Sequence, residues 1–64
     1  MSDRAQRVLD ALMDYDADNN CKYPMTSIYY FFKDGMVEKV DEDYESLTAD
    51  EEKEVIQAFL EFAY

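Results

Sequence analysis

Eight carboxylates fall between Asp41 and Glu54 (Asp41, Glu42, Asp43, Glu45, Asp50, Glu51, Glu52 and Glu54), with Lys53 the one cation among them. Such a run can do three kinds of chemistry. It can exchange protons as an acid–base pair, ligate a hard cation, or stand as fixed negative charge against a cationic surface. Acid–base catalysis needs environments that push two pKa values apart, and 64 residues leave little room for a cleft that would do so. The chain has no histidine, which removes the commonest general base and the usual zinc ligand. Cys21 stands alone, so no internal disulfide and no Cys–His dyad can form, and a reduced thiol is the expectation. A single glycine, Gly35, cannot build a Gly-rich phosphate cradle. We therefore expect no enzyme, no cofactor and no structural metal. Asp14-Tyr15-Asp16-Ala17-Asp18 opens like a calcium loop, but the pattern then fails. Asn19 stands where glycine belongs, and Met25 where the closing glutamate belongs.

The third chemistry remains. Sixteen acidic residues against six basic ones give a net charge of -10, which opposes compaction of so small a chain. That exceeds the magnitude of ~2–8 that serves solubility in a small domain. Carboxylates three or four residues apart on a helix lie about 5–6 Å from one another, a spacing that can imitate the charge row of a nucleic-acid backbone. Six tyrosines are many for one small core, and tyrosine is favoured at interfaces. The residues expected to meet a partner are thus Asp41, Glu42, Asp43, Tyr44, Glu45, Glu51, Glu52 and Glu54, with Tyr29 added from the middle of the chain. A purely solvating role for the acids stays open beside this reading.

The elements that must position these groups form one domain over residues 1–64. At this size a chain buries only about 60% of the surface it exposes when unfolded. Ala5, Val8, Leu9, Leu12 and Met13 form one apolar stripe, predicting a helix from Asp3 to about Asp16 with Ser2 as its cap. Thr48-Ala49-Asp50-Glu51 is a capping box, and Val55, Ile56, Phe59, Leu60 and Ala63 supply the stripe of a closing helix. Between them, Thr26 to Phe32 is rich in β-branched and aromatic residues, and Lys33-Asp34-Gly35 suits a turn. A three-residue loop with Gly35 left-handed keeps Ile28, Tyr30, Phe32, Met36 and Val40 on one dry face. The preferred fold is therefore an α+β helix–hairpin–helix (α-β-β-α), with both helices on that face. The alternative is an all-α bundle of three or four short helices, with Met25 to Lys33 helical and a short helix through Met36, Val37, Val40 and Tyr44. In the hairpin, Tyr29, Phe31, Val37 and Lys39 face outward, which leaves a homodimer through that face open.

Anionic lipid and nucleic acid would both repel this chain, so neither a membrane nor direct DNA or RNA binding is expected. The first residues hold no apolar run suited to a signal peptide, and a cytoplasmic location is expected. In size, acidity and lack of catalytic groups, the chain resembles small phage-encoded inhibitors that mimic DNA, such as anti-restriction and anti-CRISPR proteins. The resemblance is one of composition over the whole chain. It implies a non-enzymatic inhibitor that occupies the nucleic-acid-binding site of a basic protein or defence complex in the host cytoplasm. The runner-up is a small structural or adaptor subunit that assembles through the aromatic hairpin face.

Overall fold

The computed structural model describes residues 1–20 and 22–64. The expectation of a reduced thiol at Cys21 lies outside the described residues. Among the described residues, four α-helices follow in order: α1 (Asp3–Asp18), α2 (Pro24–Tyr30), α3 (Glu38–Glu45) and α4 (Ala49–Ala63). A π turn, Phe31–Gly35, continues directly from α2.

Ser2 caps α1 by accepting a hydrogen bond from the Ala5 amide, 3.2 Å away. The Ala5, Val8, Leu9 and Leu12 side chains are buried, and Met13 is partly so. The helix continues two residues beyond the expected end and closes on Asn19. That side chain donates to the Tyr15 carbonyl at 2.9 Å, and Asn20 adopts a left-handed conformation (φ 49°). The capping box opens α4, with Glu51 N donating to Thr48 Oγ1 at 3.2 Å and Thr48 N to Glu51 Oε1 at 2.9 Å.

All other elements pack on α1. At one end the Ser2 hydroxyl donates to the Glu51 carboxylate, and at the other Tyr64 Oη donates to Asp16 Oδ1 at 2.6 Å. Helices α1 and α4 therefore run side by side in the same direction, which obliges the chain between them to cross back. Residues 24–47 make that return. The molecule is flat, 27 × 24 × 15 Å. The buried core is small: Ala5, Val8, Leu9, Leu12, Phe31, Val55 and Phe59.

The expected hairpin is absent. No strand occurs among the described residues, and the α-β-β-α layout gives way to the all-helical alternative. The face assignment changes with it. Phe31, expected to point outward, is 0% exposed, whereas Tyr30 and Phe32, expected in the dry face, are each 44% exposed. Helical periodicity explains the exchange: Ser27 and Phe31, one turn apart, are both fully buried, and Phe31 and Gly35 lie against Tyr15 of α1. Pro24 at the first helical position has its φ set for the helix and no amide left unanswered there. Aromatic and β-branched residues fit a half-buried surface of either kind, and here the packing decides. Gly35 is not left-handed. It lies so close to Tyr15 that an added Cβ would stand 2.5 Å from that ring, so the position needs glycine for proximity rather than for backbone freedom.

Candidate acidic binding face

Helix α3 and the first turns of α4 carry the acidic run, joined by Ser46, Leu47 and Thr48. An eight-residue helix is marginal on its own, so α3 must be held from outside. Val40 and Tyr44, one turn apart, pack against the core. On the side toward α1, Arg7 makes a two-point bond to Asp43, with Nε–Oδ2 at 2.7 Å and Nη2–Oδ1 at 2.9 Å. Arg7 holds the Asp43 carboxyl below its usual range.

Glu51 has the most partners of any carboxylate here. Arg4 reaches it through Nη2 at 2.9 Å and through Nε at 3.1 and 3.2 Å. The Ser2 hydroxyl and the Thr48 amide also donate to it. Arg4 first, then Ser2 and Thr48, bring its pKa down to about 2. Parallel helices set two positive dipole ends side by side, and this single carboxylate lies at both. Glu51 thereby locks the start of α4 to the start of α1.

The acidic run thus divides in two. Asp43 and Glu51 turn inward and engage both arginines of the chain. Asp41, Glu42, Glu45, Asp50, Glu52 and Glu54 are exposed on the two braced helices. Glu54 lies 4.0 Å from the N-terminal ammonium. Of the residues expected to meet a partner, Asp41, Glu42, Glu45, Glu52 and Glu54 are exposed, with Glu52 and Glu54 on different sides of α4, whereas Asp43 and Glu51 are taken up by the fold. Tyr44 is half-buried, with its ring 4.9 Å from Phe32. Tyr29 is exposed on α2, its ring 5.2 Å from Tyr30 and 5.8 Å from Lys33 Nζ.

One feature of this surface was not expected. An apolar groove of about 100 Å³ opens between the π turn, α3 and α4, and Phe32, Tyr44, Leu47, Glu52 and Ile56 are among its walls. The sequence signal for it was the placement of Leu47 and Ile56 next to the acids, which reads equally well as core.

Asp14, Asp16 and Asp18 lie in the last turns of α1 rather than in a loop. Among the described residues, no three Asp, Glu, His or Cys side chains are placed to share a metal ion. None of the described helices is long and apolar enough to cross a membrane. With the hairpin gone, the aromatic face invoked for an adaptor or a homodimer does not exist as such: Tyr29 and Val37 are exposed, but Phe31 is inside. Compared with protein-family models, curated proteins and solved structures, the chain matches none.

Proposed function

We propose that this chain is a non-enzymatic, stoichiometric inhibitor of the DNA-mimic kind. It would act in the cytoplasm by occupying the nucleic-acid-binding site of a basic protein or defence complex, as anti-CRISPR and anti-restriction proteins do. One observation carries the reading. Six carboxylates project from two helices that are pinned to a common scaffold, while both arginines are turned inward against Asp43 and Glu51. Charge held on rigid helices keeps its spacing when it meets lysine and arginine, so less ordering entropy opposes binding. Steering by a net charge of -10 would also raise the association rate toward a cationic cleft. On this reading Asp41, Glu42, Glu45, Asp50, Glu52 and Glu54 would meet the partner, while Asp43 and Glu51 hold the helices that carry them.

The immobilised protein should retain nucleic-acid-binding proteins from a bacterial lysate at about 50 mM salt and release them by about 200 mM. The retained protein should lose DNA binding as the chain is added back, reaching completion at a fixed molar ratio. Retention indifferent to salt, or a captured protein that still binds DNA with the chain attached, would refute the proposal.

A further inference from the structure

The groove beside the acidic face deepens this reading, and the inference drawn from it rests on that reading. We infer that the groove seats one apolar side chain, an aliphatic or small aromatic residue, projecting from a cationic segment of the partner. The recognised chemistry is then a basic segment with an apolar anchor rather than a bare basic surface. A cavity of about 100 Å³ is somewhat smaller than the ~150 Å³ that holds benzene in an engineered core, which suits one such side chain. Its walls come from Ile28, Phe32, Tyr44, Leu47 and Ile56. The wide π turn places Phe31 and Phe32 in succession along it, ring centroids 5.4 Å apart. Turns of this type recur at functional sites.

Charge selects the occupant. Glu52 lines the groove, and Ile56 follows it one turn later on α4. Tyr44, on the other wall, has Asp41 one turn before it and Glu45 beside it. A segment whose apolar residue enters between α3 and α4 therefore has carboxylates on both sides. Lysine or arginine flanking the anchor would complement them. A second copy of the chain would instead bring another ten net negative charges to the same rim. An apolar centre inside a charged border is also where interface energy concentrates.

The test uses two synthetic peptides of equal charge, rich in lysine and arginine and identical except for a central Leu or Ala. Each is titrated into the ¹⁵N-labelled protein at low salt. The Leu peptide should bind about tenfold more tightly than the Ala peptide. Its additional shifts should centre on Phe32, Tyr44, Leu47 and Ile56. Ile56→Phe, which fills the mouth, should bring the Leu peptide down to the Ala level, and the comparison on the unaltered chain stands whether or not that variant folds. Equal affinities that vanish together in Asp41→Lys/Glu42→Lys/Glu45→Lys would overturn the anchor and leave the acidic face intact. Failure of both peptides to bind would overturn both. Leu-dependent shifts at Phe62 and Tyr64 instead, or a sedimenting dimer that Ile56→Phe dissociates, would assign the groove differently and end the inference.

Discussion

Glu51 and Glu52 are neighbours in sequence and do opposite things. Glu51 points into the junction of two helix starts and binds a guanidinium, a hydroxyl and an amide. Glu52 projects from the next position of the same turn to the edge of an apolar groove. The same division repeats on α3, where Asp43 engages Arg7 while Asp41 and Glu42 face outward. A high density of like charge is compatible with a fold of this size because a few acids recruit all the arginine. The remaining acids can then stay exposed without having to hold the structure together.

The largest effect should come from removing the inward anchor. Glu51→Ala takes away a helix cap and leaves Arg4 and Ser2 without their acceptor, and should lower Tm by about 5–10 °C, read by circular dichroism. The folded fraction should still engage the cationic partner, since the outward acids are untouched. Acid should reproduce part of this loss. The folded pKa of Glu51 lies near 2, below its ordinary value of 4.5. Its contribution is complete above 4.5 and fades as pH falls toward 2. Urea melts across that range should show a stability decline in the native chain that is shallower in Glu51→Gln.

Ser27 is the converse of Glu51: a buried polar atom with no partner among the described residues. Ser27→Ala removes that hydroxyl at nearly constant volume and should raise Tm by about 4 °C. A fall would mean that the hydroxyl is answered after all. Smallest should be Glu42→Gln, an exposed neutralisation that leaves Tm within about 1 °C or slightly raised as repulsion eases.

The two long helices were legible in the sequence because their signals are local. Ser2 and the Thr48–Glu51 box mark their starts, and each stripe recurs with helical spacing. The middle was not. Its inward face contains Ser27, which is fully buried, and Gly35, which lies against Tyr15 of α1, two small residues that a count of apolar side chains passes over. The aromatic density of Thr26–Phe32 speaks of burial without fixing the backbone. The acidic run was visible as charge, but its division was not. That depends on Arg4 and Arg7, which lie 47 and 36 residues from their partners and meet them only through the parallel pairing of α1 with α4 and the packing of α3 on α1. The groove stayed hidden for a similar reason, since α2, the π turn, α3 and α4 build it jointly.

The most direct test separates the two sets of acids by function. Displacement of DNA from the captured partner should be compared for the native chain, Glu51→Gln and Asp41→Lys/Glu42→Lys/Glu45→Lys, each below its own Tm. The triple reversal should weaken inhibition by on the order of a hundredfold while its Tm holds or rises. Glu51→Gln should inhibit like the native chain despite melting earlier. Undiminished inhibition by the triple reversal would contradict the claim that the outward carboxylates make the contact.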